Sequence, residues 1–153
     1  MKFFRRSKRK PAAPRGSETD RSLRVFIPVY YVAPLGGLQE HVRQITRVLQ
    51  RQGHVPVVMC KPGPFADQLE EAGVDVLLTD YADPAKDLQL ATHNGPFDLV
   101  HAHPFQSRTV GLRVAEHFSV PFILTLHAMY VDAVDQYDDK LDLLITVCPA
   151  IRD

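Results

Sequence analysis

The sequence predicts an α/β protein built on one open, doubly wound parallel sheet of about six strands, and three observations predict it. Strand-like apolar runs alternate along the chain with segments of helical period. Glycines and prolines punctuate the boundaries between them. The fullest unit, Leu23 to His54, passes from a buried strand through a glycine turn into an amphipathic helix, and the rest of the chain looks like repetitions of it. Such alternation implies parallel pairing through right-handed crossovers.

Residues 1 to 21 stand apart. They combine basic residues, two prolines and small polar residues without periodicity, the composition of a disordered tail. In residues 1 to 24 nine Lys or Arg face only Glu18 and Asp20, a net of +7. The whole chain has 18 residues of each sign, so the remaining nine basic and 16 acidic residues carry −7. Phe3 and Phe4 beside the cationic cluster suit residues 1–15 to an anionic membrane surface, at about 1 kcal/mol per basic side chain. A solvated tail without a partner is the preferred reading of them, and nucleic acid is disfavoured because the acidic body would repel a phosphate backbone.

The folded domain is expected over residues 22–153. Leu23 to Val32 is a nearly unbroken aliphatic and aromatic run, suited to a strand covered on both faces, with Pro28 the one discordant residue. From Leu38 the period changes, with Leu38, Val42, Ile45 and Leu49 on one helical face until Gly53 stops the helix. Val55 to Met59 reads as a second strand, Phe65 to Ala72 as a short helix ended by Gly73, and Val74 to Thr79 as a third strand. Ala82 to Asn94 carries a weak helical pattern closed by Gly95-Pro96. Asp98 to Ala102, Val120 to Leu126 and Leu141 to Val147 are the last three strands, with a helix from about Phe105 to Phe118.

A chain of 153 residues, 45% hydrophobic and 24% charged, can bury the core of one ordinary globular domain. No apolar run approaches the roughly 20 residues that span a bilayer. Cys60 and Cys148 give no disulfide framework, so a cytoplasmic setting is the simpler expectation, extended by the basic tail to the inner membrane surface. Both cysteines read as small buried hydrophobes.

Ligands of open α/β sheets bind outside the carboxyl ends of the strands, which here means after Val32, Ala102, Leu126 and Val147. Gly36 and Gly37 come after the first of these, His103 after the second and His127 after the third. The glycines open a helix whose unpaired N–H groups and partial positive charge favour an anion by roughly 0.3 to 1 kcal/mol. A tight turn alone would explain the pair just as well. His101 and His103 lie on the same side of their strand, and H-x-H spacing can hold zinc, but no third ligand is suggested nearby and no metal is expected.

Taken in order, Gly36-Gly37-Leu38-Gln39-Glu40-His41-Val42 with Gly53-His54, then DLVHAHPF, VPFILTLH and LDLLITVCPAIRD, resemble the amino-terminal domain of group 1 glycosyltransferases of the GT-B fold. The resemblance covers about residues 23 to 153. It implies a Rossmann-like half that receives the acceptor and faces a second half holding a nucleotide sugar, the whole being a retaining hexosyltransferase. Gly36 and Gly37 would then lie at the donor pyrophosphate, and His127 would hydrogen-bond the transferred sugar and stabilise developing charge. His103 and Tyr31 would line the acceptor side. A departing phosphate oxygen can take the acceptor proton, so neither a carboxylate base nor a metal cofactor is implied, and Asp132, Asp135, Asp138 and Asp139 read as a solvated face. The family continues with a nucleotide-sugar domain that would join in cis or in trans, and without it these residues are expected to be inactive toward a glycan or lipid-linked acceptor. The alternative expectation is a non-catalytic α/β module that binds a phosphorylated or glycosylated ligand in the same crevice.

Overall fold

The computed structural model describes residues 2–4, 21–33, 35–127, 137 and 139–147. Its elements are β1 (Lys2–Phe4), β2 (Arg24–Pro28), α1 (Gly37–Arg51), β3 (Val55–Cys60), α2 (Pro64–Glu71), β4 (Asp75–Leu78), α3 (Pro84–His93), β5 (Leu99–Ala102), α4 (Gln106–Phe118), β6 (Phe122–Leu126) and β7 (Leu143–Thr146). They form one sheet in the order β1-β7-β6-β5-β2-β3-β4. The strands β2 to β7 pair in parallel, giving the expected six-stranded Rossmann-like sheet.

Where the sequence pattern suggests no strand, Lys2–Phe4 adds an antiparallel edge to β7, pairing Lys2 with Thr146 and Phe4 with Leu144. An edge strand offers a row of open backbone donors and acceptors that any extended segment can satisfy, so pairing needs no side-chain period in the added segment.

The first strand of the parallel set is shorter than its apolar run. It ends at Pro28, beyond the last residue pair with β5, Phe26 opposite Val100, so the missing N–H breaks no ladder. On the other side Val29 N–H still donates to the Met59 carbonyl at 2.8 Å. Residues 29–33 and 35–36, between β2 and α1, belong to no helix or strand.

Alternation along the strands divides the core in two. Val25, Ile27, Val58 and Cys60 pack under α1 and α2 with Val42, Phe65 and Leu69, whereas Phe26, Val57, Met59, Val100 and Ala102 pack under α3 and α4 with Ala91, Val110 and Val114. Cys60 is wholly buried, and desolvation first, then the Glu70 charge, pushes its thiol up to about 12. Cys148 lies outside the described residues.

Helix ends obey the sequence signals. Gly53 and Gly73 have φ of 80° and 73°, and the chain there folds back so that His54 N–H reaches the Leu49 carbonyl and Val74 N–H the Leu69 carbonyl. Asp83 caps α3 by accepting from the amides of Ala85 and Lys86. The helix α4 comes closest to the sheet at Gly111, where a Cβ would stand 2.9 Å from Ala102 Cβ and 3.2 Å from both the Phe122 ring and Pro28 Cγ.

From β2 the chain winds outward through β3 to β4, then returns through α3 to lay β5 against the other side of β2. The order reverses between β2 and β5, and the crevice at their carboxyl ends is where such a sheet binds ligands.

Candidate active site

Two loops and one strand end meet at that crevice. The loop after β2 leads into α1, and Gln39, itself buried, braces it by donating from Nε2 to the Ala33 carbonyl at 2.7 Å. The loop after β5 is pinned by Ser107, whose hydroxyl is 2.6 Å from the carbonyls of His103 and Pro104. Phe105 takes a left-handed φ of 66° for a residue with a side chain, and it is 48% exposed at the rim.

Together they bound a groove of about 520 Å³ lined by Gly37, Leu38, His41, Phe105, His127 and Val147 among others. Residues Gly37 and His127, 90 positions apart, thus face one space. Gly36 is extended, with φ of 171°, so it needs no special backbone freedom. A Cβ added at Gly37 would meet nothing within 4 Å; what the glycine leaves open is the approach to the start of a 15-residue helix.

Period-two alternation puts His101 and His103 of the β5 segment, and Thr125 and His127 of the β6 segment, on the face covered by α1. His41 comes down from α1 onto the same group. The rings of His41 and His127 are 4.9 Å apart at 79°, those of His103 and His127 5.1 Å apart, and those of His101 and His103 stack at 5.0 Å. His103 Nδ1 lies 2.9 Å from His127 Nε2, and His101 Nε2 lies 2.7 Å from the Thr125 hydroxyl.

Burial keeps these imidazoles neutral. Desolvation first, then mutual repulsion, holds His101 and His127 down to about 4, with His103 well below the usual histidine range; desolvation alone lowers His41. Despite four histidines in contact, no three His, Cys, Asp or Glu side chains among the described residues are placed to hold a metal ion.

Two expectations change with the geometry. His103 is completely buried and reaches the groove only through His127, because α1 covers the sheet face it points from. Tyr31 turns away from the groove: it is 8% exposed, stacks edge-on against Phe65 and donates to the Lys61 carbonyl at 3.0 Å. Its neighbour Tyr30 instead packs edge-on against Tyr81 and Phe105, with the Lys61 ammonium 4.4 Å from its ring centroid. Asp139 is exposed, as a solvated position would be; Asp132, Asp135 and Asp138 lie outside the described residues. His41 was not singled out from the sequence, although its position one helical turn after Gly37 put it on the same face of α1.

The six-stranded Rossmann-like sheet with a glycine-led helix and histidines at its carboxyl edge is that of an amino-terminal GT-B glycosyltransferase domain, as the family match and the similar structures show. The chain belongs to Glycosyltransferase Family 4, whose family model matches residues 35–153. Among solved structures it is similar to a glycosyltransferase from Rickettsia africae ESF-5, with TM-score 0.65 and 15% identity over 82% of this chain and 37% of that one. It is also similar to MurG of Acinetobacter baumannii, with TM-score 0.62 and 17% identity over 83% of this chain and 42% of the other. HepE of Anabaena, solved in complex with UDP-glucose, matches with TM-score 0.56 and 19% identity over 70% and 30%. The chain therefore spans less than half the length of these proteins. No curated protein matches the sequence.

Proposed function

We propose that this chain is the acceptor-side half of a retaining glycosyltransferase that moves a sugar from a nucleotide-sugar donor to a glycan or lipid-linked acceptor. The observation that carries the reading is the convergence of the α1 amino terminus, led by Gly36 and Gly37, with the His127 imidazole on one groove. The helix end supplies amides and positive potential for a donor phosphate. His127, neutral at physiological pH, offers a nitrogen to a sugar hydroxyl, and the exposed Phe105 and Val147 give the groove an apolar wall. Transfer with retention needs no carboxylate base from this half, because the leaving phosphate oxygen takes the acceptor proton. A nucleotide-sugar domain, in cis or in trans, would close the groove from above, and turnover requires it.

Labelled nucleotide sugars incubated with this chain and with such a partner domain test the reading. Transfer in the pair, lost in His127→Ala, is the expected result. Absence of both binding and transfer under every combination overturns it, and a His127→Ala variant changed only in affinity would identify a binding module instead. No helix among the described residues is long and apolar enough to cross a membrane. Contact of residues 1–15 with an anionic membrane surface is part of the proposal; sedimentation with vesicles containing phosphatidylserine checks it.

A further inference from the structure

The histidine pair below the groove carries more than the burial of two rings. His103 is 0% exposed, and its Nδ1 meets His127 Nε2 at 2.9 Å. Its other nitrogen, Nε2, is buried without a hydrogen-bond partner among the described residues. A neutral imidazole carries one proton on one of two nitrogens, and the hydrogen bond made by one nitrogen decides the role of the other. Two arrangements are therefore open. In the first, His103 Nδ1–H donates to His127 Nε2, and the orphaned His103 Nε2 is a bare lone pair. In the second, His127 Nε2–H donates, and the orphan becomes a buried N–H with nothing to receive it. Among buried backbone groups an orphaned N–H is rarer than an under-satisfied acceptor, and the same preference applied to the imidazole favours the first arrangement.

We propose that His103 is a positioning residue that holds His127 as its Nδ1–H tautomer, so that the groove meets an N–H donor rather than a bare nitrogen. Nδ1 of His127 has no partner among the described residues, while its Nε2 is committed to His103. The supports lie on every side of the pair. His101 stacks on His103 at 26° between ring planes and is itself tied to Thr125, and His41 closes edge-on against both His103 and His127. An N–H directed into the groove suits an acceptor such as a sugar hydroxyl or ring oxygen and rejects a group that can only donate. The inference deepens the reading of His127 as the sugar-facing group and rests on it for its purpose, though not for its test.

Long-range proton–nitrogen correlation spectra of the ¹⁵N-labelled chain at neutral pH report each imidazole tautomer directly. Both His127 and His103 are expected to carry the proton on Nδ1, against the Nε2–H form that free histidine favours. In His103→Leu the His127 signals are expected to shift toward the Nε2–H pattern, and in His103→Asn, whose amide nitrogen falls near the place of Nδ1, to return. An Nε2–H signature for His127 in the parent chain overturns the proposal, and so does an unchanged signature in His103→Leu. Should His103→Leu fail to fold, the parent spectrum and His103→Asn decide. No sugar ligand enters the measurement, so a failure to bind nucleotide sugars would strike the functional proposal and leave this one standing.

Discussion

Acidification attacks the histidine cluster before it reaches most of the carboxylates. His101 is held at about 4 in the folded chain against an ordinary value of 6.5, chiefly because burial beneath α1 penalises its charged form and secondarily through His41 and His127. Its folded value is depressed, so below 6.5 the unfolded chain takes up a proton that the folded chain refuses. Stability contributed by the neutral ring is complete above 6.5 and is lost as pH falls from there toward 4. Integrated between about pH 7 and about pH 5, this single group removes roughly 2 kcal/mol, a sizeable share of the roughly 5 to 15 kcal/mol typical of a domain. His103 acts in the same direction, and His127, half open to the groove, adds a smaller, screened share. The facing groups are His41 from α1 and Thr125 from β6; Asp87, on the opposite side of β2, has its carboxyl raised by desolvation, which opposes the trend. Urea unfolding at several pH values between 7 and 5 measures the slope, and His101→Gln, which keeps a donor for Thr125 but cannot titrate, should flatten it. A free energy constant across that range, or a slope that His101→Gln leaves intact, would refute the reasoning.

Gly111→Ala forces a methyl against Ala102, Phe122 and Pro28, and an overpacking cost of about 1 to 3 kcal/mol should exceed the gain of about 1 kcal/mol in helix propensity. Chemical denaturation of the variant should therefore show net loss; a gain would mean α4 can lift from the sheet. Gly37→Ala should leave the unfolding midpoint unchanged or slightly raised, since its Cβ meets nothing, yet weaken nucleotide-sugar binding measured calorimetrically, because the methyl stands at the mouth of the groove. Tyr81→Phe removes a buried hydroxyl that donates to the Met59 carbonyl at 2.8 Å and accepts from Val29 N–H at 3.0 Å, and should cost about 1 to 3 kcal/mol in the same denaturation assay. Phe26→Ala opens a cavity where the ring stacks on Phe97 at 4.9 Å and should cost about 3 to 5 kcal/mol.

Periodicity by itself determined the architecture of this protein: each expected strand and helix is present within a few residues of its predicted bounds, from α1 ending before Gly53 to β6 ending at Leu126. That success has a local cause, since burial of strands on both faces and of one stripe per helix writes its period directly into the chain. The edge strand Lys2–Phe4 escaped because backbone pairing to an open edge leaves no such period. The same limit applies to the site. The sequence shows Gly36, Gly37 and His127 at element ends, but Tyr30 and Tyr31 are adjacent in sequence and equally aromatic, and only packing decides that Tyr31 faces Phe65 while Tyr30 faces Tyr81 and Phe105. Likewise the chain shows histidines at positions 41, 101, 103 and 127 without showing that they touch. Their contact comes from laying β5 beside β6 and α1 across both, a long-range arrangement that fixes which ring is buried and which is open.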